Sequence, residues 1–257
     1  MDIYILGAAD PEMQEIAAVL DAAGCGWVWA THEGKRCVPG DAYRADSTDK
    51  VIPWAAETRG VETSHVANWW RSEYDHHRSG DPGYGLPPAR YREGSSLGQV
   101  MAHLGVEPTP RQLGIMAADH CLGAAYRGEC PGVDPEALME WRAESRARFQ
   151  NRPVADVLAD VEAARHILCS ATSVLIGGTL VADLRRQSVP ELPEAAVREE
   201  IPFLATVRER DGREKVVIQG ASDAVIAAFL AGAAAFGAGD TYGDPARGFA
   251  GVYLHQA

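Results

Sequence analysis

The sequence predicts an α/β fold with a parallel-sheet N-terminal domain, a helical connector and a smaller α/β C-terminal domain. Over the first 35 residues the pattern alternates between strand, helix and strand, an order typical of a parallel sheet. Two regularly spaced helical stretches with charged outer faces follow in the middle of the chain, and beyond about residue 172 the composition shifts. We therefore expect one domain over residues 1–130, the connector over 131–172 and the second domain over 173–257.

The N-terminal elements have clear start and stop signals. Residues 3–6 form a short apolar run that predicts the first strand. Asp10 suits an N-cap and Pro11 suits the first position of the helix that follows. Residues 27–29 predict the second strand and residues 51–55 a third, although the proline within that third run suits only an edge or irregular strand.

Helices and a hairpin are predicted for most of the remaining chain. The Gly- and Pro-rich residues 78–92 indicate a loop. Helical stretches follow at about 96–104, 110–126, 134–149 and 154–169. Residues 203–208 and 215–219 flank Asp211-Gly212, which is a strong hairpin signal. A helix over 222–236 and a Gly-rich tail complete the predicted second domain.

The charge balance argues against a long nucleic-acid partner. The 257 residues include 24 Lys and Arg against 36 Asp and Glu, a formal net charge of −12. Because phosphate backbones are bound through a cationic footprint, we expect no duplex nucleic-acid partner. A small anion remains compatible with a local, metal-neutralised cleft.

Cysteine usage and hydropathy are typical of a soluble cytoplasmic protein. The five cysteines include no Cys-x-x-Cys pair, so we expect reduced thiols. No run of about 18 uninterrupted apolar residues occurs, so we expect no membrane span. The first residues lack the basic region of a signal peptide. A homodimer is compatible with the sequence.

Asp75-His76-His77 is the most distinctive local feature of the sequence. One interpretation is a solvated or locally hydrogen-bonded group, because a string of three residues occurs often by chance. The other is a catalytic or metal-binding group, because one carboxylate followed by two imidazoles offers both metal ligands and proton carriers.

Further acids stand where a ligand site of an open α/β sheet is expected. Asp10 and Glu12 follow the first predicted strand, and Glu57 follows the predicted strand at 51–55. For Asp10 and Glu12 a purely structural role in starting a helix is the alternative. Asp119 and His120 fall within an apolar helical stretch, where an unpartnered carboxylate would cost several kcal/mol.

Together these residues suit a divalent metal site. Carboxylate oxygens combined with a few imidazoles favour Mn²⁺ or Mg²⁺, as one or two ions, over thiolate-preferring metals. Two neighbouring ions can activate a water molecule and neutralise the charge of a phosphoryl group.

The order of these motifs resembles the DHH phosphoesterase superfamily, which includes RecJ-like exonucleases, nano-RNases, cyclic-dinucleotide phosphodiesterases, exopolyphosphatases and family II pyrophosphatases. The resemblance covers about residues 1–130, and Asp75-His76-His77 is its most specific motif. Leu6 stands where many members have a histidine, and two aspartates of the family are replaced by glutamates. The resemblance implies catalytic roles for Asp75, His76 and His77, and metal ligation by Asp10, Glu12, Glu57, Asp75, His77 and Asp119, with His120 as an additional candidate ligand.

Substrate-binding residues are predicted in two places. The Gly-rich tail with Arg247 and Gly248 resembles a degenerate form of the glycine-rich segment with which relatives grip their substrate. Glycines allow backbone N–H groups to approach an anion, and an arginine offers two parallel donors. Arg127 follows the Asp119 helix and is a third candidate. A flexible C-terminal turn with Arg247 in a surface ion pair is the alternative for the tail.

These observations favour a divalent-metal-dependent phosphohydrolase that cleaves a small phosphate ester, with a short or cyclic nucleotide as the expected substrate. The resemblance implies attack by a metal-bound hydroxide on phosphorus. Two alternatives stay open, namely a non-catalytic sensor of a phosphorylated ligand with an eroded metal site, and a hydrolase of inorganic pyrophosphate or polyphosphate.

Overall fold

The structure, a computed structural model, shows a mixed α/β protein. It describes residues 2–38, 41–53, 56–63, 72–208, 212–236, 239–244 and 248–254. The chain divides into two compact units, Met1–Ser145 and Arg146–Ala257. The division falls within one of the two helices predicted as a connector, so these helices are distributed between the units.

The first unit contains a mainly parallel sheet. Its strands are β1 (Asp2–Leu6), β2 (Gly26–His32), β3 (Lys35–Arg36), β4 (Ser47–Thr48), β5 (Glu57–Val61) and β6 (Ser72–Tyr74). The four parallel strands lie in the order β2-β1-β5-β6, and the short β3 and β4 pair antiparallel with β2. The chain therefore leaves β1 towards one side and reaches β5 on the other, which makes the β1–β5 boundary the switch point where ligands bind in such sheets.

Helix α1 (Pro11–Ala22) begins as its sequence predicts. The side chain of Asp10 accepts a hydrogen bond from the Met13 backbone N–H (2.8 Å), and Pro11 occupies the first helical position. Because Ile16 and Leu20 lie on one face, the helix buries them completely against the sheet. The predicted strand–helix–strand opening is confirmed.

Helices α2 (Tyr91–Gly94), α3 (Ser96–Leu104) and α4 (Pro110–Tyr126) follow, and the starts of the last two confirm the prediction. Ser95 caps α3, and Thr109 and Gln112 form a capping box at the start of α4. Inside α4 the backbone of Cys121 is not helical (φ −157°, ψ 57°), so the helix is kinked directly after its polar pair at positions 119 and 120.

The predicted strand at 51–55 is wrong. Residues 51–53 form no strand, residues 54–55 lie outside the described part, and the third parallel strand is β5 at Glu57–Val61. Val51 is 95% exposed, so this apolar residue does not belong to a buried strand. The true strand escaped notice because it carries Glu57 and Arg59, and Arg59 is tolerated there through ion pairs with Asp2 (2.7 Å) and Glu73 (2.7 Å).

The second unit is built on a second sheet. Helix α5 (Pro135–Gln150) spans the division, and α6 (Val154–Ser170), α7 (Leu192–Glu199) and α8 (Asp223–Ala231) belong to the second unit. The strands are β7 (Ser173–Ile176), β8 (Thr179–Leu184), β9 (Phe203–Arg208), β10 (Glu214–Gln219), β11 (Thr241–Asp244) and β12 (Phe249–Tyr253). They lie in the order β11-β12-β10-β9-β8-β7, antiparallel except for the parallel pair β8–β9.

The hairpin prediction is confirmed for β9 and β10, which pair antiparallel; Asp211 of the predicted turn lies outside the described residues. The Gly-rich tail, for which no strand had been predicted, contains two strands. Strands β11 and β12 pair there, and β12 also pairs with β10. Apolar residues of β12 such as Val252 are buried. No helix among the described residues is both long and apolar enough to cross a membrane.

Substitution of two glycines within helices should change the stability of the protein in opposite directions. A Cβ on Gly98 would lie 1.7 Å from the Arg92 carbonyl oxygen, whereas a Cβ on Gly114 would meet nothing closer than the Leu138 Cδ1 atom at 3.8 Å. We expect Gly98→Ala to lower the free energy of unfolding by about 1–3 kcal/mol through overpacking. Gly114→Ala serves as the control and should raise it by about 0.4–1 kcal/mol, because alanine restricts the unfolded chain. Urea unfolding followed by circular dichroism measures both, and equal effects of the same sign would contradict the close approach of α2 and α3.

Candidate metal centre

Two glutamates from different elements meet at the carboxyl ends of β1 and β5. Glu12 lies in the first turn of α1, and Glu62 directly follows β5. They are 2% and 7% exposed, respectively. The N-terminus of α3 holds both, since the Leu97 N–H donates to Glu12 Oε1 (2.9 Å) and the Ser96 hydroxyl donates to Glu62 Oε1 (2.7 Å). The positive end of the helix dipole also favours negative charge here.

The second oxygen of Glu12 is buried without a hydrogen-bond donor. Among the described residues no donor reaches Glu12 Oε2. Burial and the neighbouring charge of Asp119 raise the pKa of Glu12 well above its usual value, and the same two causes raise the pKa of Glu62. A buried carboxylate without a donor is costly, so this group is suited to a proton shared with a neighbouring carboxylate or, in its ionised form, to a cation.

Asp119 completes what we call the carboxylate cluster, consisting of Glu12, Glu62 and Asp119. One carboxylate oxygen from each lies within 4.8 Å of those of the other two. The Asp119 side chain is 27% exposed, so the cluster is open to solvent at this member. Asp119 Oδ2 also lies 3.1 Å from His76 Nε2. Glu12 and Asp119 were both predicted as members of one site from the sequence, and the structure brings their carboxylates together.

Glu62 is a candidate ligand that was not predicted from the sequence. It takes the place that had been predicted for Glu57, which lies at the opposite end of β5, in register with Asp2 at the start of β1. Glu57 is therefore remote from the other acids, and the structure does not bring this predicted metal ligand together with them. The signal was present, because Glu62 follows the buried Val61 at a strand end, but the strand had been placed too early in the sequence.

The chain makes a tight turn at Glu62. Its backbone is left-handed (φ +47°), which is unfavourable for a residue with a Cβ atom. Gly7 permits the close packing of this turn, because a Cβ there would lie 2.5 Å from the Glu62 carbonyl oxygen. The local fold thus accepts backbone strain at the residue whose side chain joins the cluster.

The carboxylate of Asp75 accepts several hydrogen bonds. The single Tyr43 hydroxyl proton is shared between its two oxygens (3.0 and 2.9 Å), and the N–H groups of His76 and His77 donate to Oδ1 (2.7 and 3.1 Å). Burial alone would raise the pKa of Asp75, but the hydrogen bonds from His77 and Tyr43 outweigh it and hold the pKa at about 2. Asp75 therefore orients its neighbours and contributes no oxygen to the groups of clustered ligand atoms among the described residues.

The two histidines extend the site in a stack. Their ring centroids are 4.3 Å apart. His77 Nδ1 lies 2.9 Å from Asp75 Oδ1, so the ionised carboxylate fixes this nitrogen as the protonated one. Ligand atoms of Glu62, His76 and His77 also lie within 4.8 Å of one another. Glu62 belongs to both groups and so links the carboxylate cluster to the histidines.

These residues fit a divalent cation. Ligand atoms on one ion, each about 2.1 Å from it, are at most about 4.2 Å apart, so small side-chain rotations would bring the three members of the carboxylate cluster onto one ion. The combination of carboxylate oxygen and imidazole nitrogen suits a divalent metal ion. Glu12 Oε2 is buried and has no hydrogen-bond donor, so it is the oxygen that a bound cation would stabilise most.

Asp10 and His120 have other contacts. Asp10 Oδ1 caps α1, and burial together with the charge of Asp119 raises the pKa of Asp10 to about 6. His120 Nε2 lies 2.8 Å from the Leu86 carbonyl oxygen, and burial lowers the pKa of His120. Its ring meets that of His76 edge-on at 5.5 Å. Neither residue belongs to the two groups of clustered ligand atoms in the described part of the chain.

Of the three residues predicted to bind substrate, Arg127 belongs to the first unit, Gly248 to the second, and Arg247 is not among the described residues. Arg127 ends α4, two turns beyond Asp119, and pairs with Glu129 (2.6 Å). Gly248 adopts a left-handed turn (φ +69°) before β12.

The burial of two carboxyl groups predicts how the stability of the protein depends on pH. Because burial raises the pKa values of Glu12 and Glu62, the folded metal-free protein binds protons more tightly there than the unfolded chain does. Its free energy of unfolding should fall as the pH rises above the ordinary glutamate pKa of 4.5. We expect Glu12→Gln to raise that free energy at pH 8 by about 1–3 kcal/mol, and by less at pH 5.

Urea unfolding in the presence of a chelator measures this effect. Glu57→Gln removes an exposed charge at the other end of β5 and should change stability by less than about 0.5 kcal/mol at either pH. A Glu12→Gln protein less stable than the wild type at pH 8 would show that the buried carboxylate is not destabilising.

Comparison of the sequence with known protein families and with characterised proteins found no match in either case. The function is therefore inferred from the site residues, their geometry and the motif order of the sequence.

Proposed function

We propose that the chain is a divalent-metal-dependent phosphohydrolase that acts on a small phosphate ester. The observation that carries this proposal is the buried carboxylate cluster with its unpartnered Glu12 Oε2, next to His76 and His77 at the switch point of a parallel sheet. Glu12, Glu62, Asp119 and His76 would hold the cation. When bound, the cation would supply positive charge that stabilises a phosphoryl transition state and lowers the pKa of water.

The remaining residues of the site hold and move a proton. Asp75 keeps the proton of His77 on Nδ1, so Nε2 is the nitrogen that exchanges a proton with water or a leaving group. Tyr43 fixes Asp75 in turn, through its hydroxyl. This order, in which a buried carboxylate orients an imidazole, is typical of general acid–base catalysis.

The motif order supports the same proposal. With Glu62 in place of Glu57, the acids and histidines still follow the sequence pattern that resembles the DHH phosphoesterases, and each acid of the cluster follows a strand or lies on an adjacent helix. The net charge of −12 favours a small substrate, for which we propose a short or cyclic nucleotide.

One observation favours a non-catalytic alternative. Asp10 is engaged as a helix cap and Leu6 is buried in β1, so neither contributes to the described ligand groups, and the geometry supports one ion better than two. A single ion can bind a phosphorylated ligand without cleaving it. Turnover therefore separates a hydrolase from a sensor.

Metal titration and hydrolysis test the proposal together. Calorimetric titration of the metal-free protein with Mn²⁺ should give about one tight ion per chain. Glu62→Gln should abolish this binding, because Glu62 belongs to both ligand groups. Hydrolysis of bis-p-nitrophenyl phosphate, a dinucleotide, a cyclic dinucleotide or pyrophosphate should require Mn²⁺ and fall by on the order of 10²-fold or more in the variant.

Glu57→Gln is the matched control, since it makes the same change on the same strand away from the cluster. It should bind Mn²⁺ and turn over substrate as the wild type does. Unchanged Mn²⁺ binding by Glu62→Gln would refute the assigned site. Binding by the wild type without hydrolysis of any of the four compounds would favour the sensor.

A further inference from the structure

Arg78 lies beside the candidate site, and its side chain stacks on an aromatic ring. It directly follows His77, and its guanidinium carbon lies 3.7 Å from the centroid of the Tyr43 ring. The same ring meets that of His77 edge-on at 6.1 Å, and its hydroxyl holds Asp75. The aromatic ring thus places the guanidinium next to the residues that handle the proton.

Arg78 differs from other arginines of the first unit in its charge partners. Arg59, Arg90 and Arg127, for example, form ion pairs with carboxylates. Among the described residues Arg78 has no such ion pair, although its side chain is exposed in a strongly acidic chain. The closest candidate, Asp81, instead accepts a hydrogen bond from the Arg78 backbone N–H (2.6 Å).

The stack on Tyr43 leaves the donors of the guanidinium available. Cation–π contact uses the face of the group, whereas its five N–H donors lie in the plane and point past the edge of the ring. A guanidinium held in this way is pre-organised for two parallel hydrogen bonds to a phosphoryl group. The nearby acids would repel a phosphate, so a fixed positive charge at this point also offsets that repulsion.

We infer that Arg78 binds a non-bridging oxygen of the phosphoryl group of the substrate and that Tyr43 holds it in place for this contact. Arg78 is thereby assigned as a specificity-determining residue for anionic phosphate esters. The inference rests on the proposed function, because it assigns the phosphate contact of that same site.

Binding of inorganic phosphate to the Mn²⁺-loaded protein tests this inference without requiring turnover. Arg78→Gln should weaken phosphate binding by about 10- to 100-fold, the usual effect of losing charge-assisted hydrogen bonds. Arg78→Lys should recover only part of it, since lysine lacks the planar fork. Arg90→Gln removes the same charge from an ion-paired arginine and should leave phosphate binding within about twofold.

A pair of substitutions at Tyr43 isolates the role of the ring. Tyr43→Phe keeps the stacking face and loses the hydroxyl, whereas Tyr43→Leu loses both. Phosphate affinity should therefore be lower in the leucine variant than in the phenylalanine variant. Where a phosphate diester is hydrolysed, Arg78→Gln should raise KM more than it lowers kcat.

The outcomes separate this inference from the proposed function. Wild-type protein that binds no Mn²⁺ would overturn the proposed function. Normal Mn²⁺ binding by Arg78→Gln with unchanged phosphate affinity would overturn the role of Arg78 and leave the metal site standing. An equal loss in Arg90→Gln would show a general charge effect and would also overturn the specific contact.

Discussion

The side-by-side burial of two glutamates constrains the arrangement of the elements around them in the first unit. Glu12, in the first turn of α1, and Glu62, directly after β5, meet at the carboxyl ends of β1 and β5, and neither has an arginine or lysine as a partner among the described contacts. Like charges at such a place are tolerated only if something fixes and neutralises them. The first turn of α3 fixes them through Ser96 and Leu97, and either a bound proton or a bound cation would neutralise them.

A second layer of contacts holds the histidines against these acids. The side-chain amide of Gln99 pairs with both backbone groups of Asp75, accepting from its N–H (3.1 Å) and donating to its carbonyl oxygen (3.2 Å). Because Gln99 also lies on α3, this one helix positions both the carboxylates and the turn that carries His76 and His77. A short helix thereby supports two halves of the site that are distant in the sequence.

Local signals made much of this arrangement predictable. Asp10 with Pro11 and Ser95 with its following turn are caps that act within a few residues, so the starts of α1 and α3 could be inferred from the sequence alone. The position of β5 depends on pairing with β1 and on the ion pairs of Arg59, which are tertiary effects. Glu62 was hidden for that reason, and the role of Asp75 could not be assigned because its partner Tyr43 lies 32 residues earlier.

The left-handed backbone of Glu62 has a consequence for how sequence variation at this position should be distributed. Glycine and asparagine adopt that conformation more easily than glutamate, and either would also remove a charge from the interior. A library of all residues at position 62, sorted only for folding, would therefore be enriched in those two. A library sorted for activity would retain glutamate, so the two enrichments would point in opposite directions. Opposite enrichments of this kind indicate a residue whose side chain serves function at the expense of the stability of the fold.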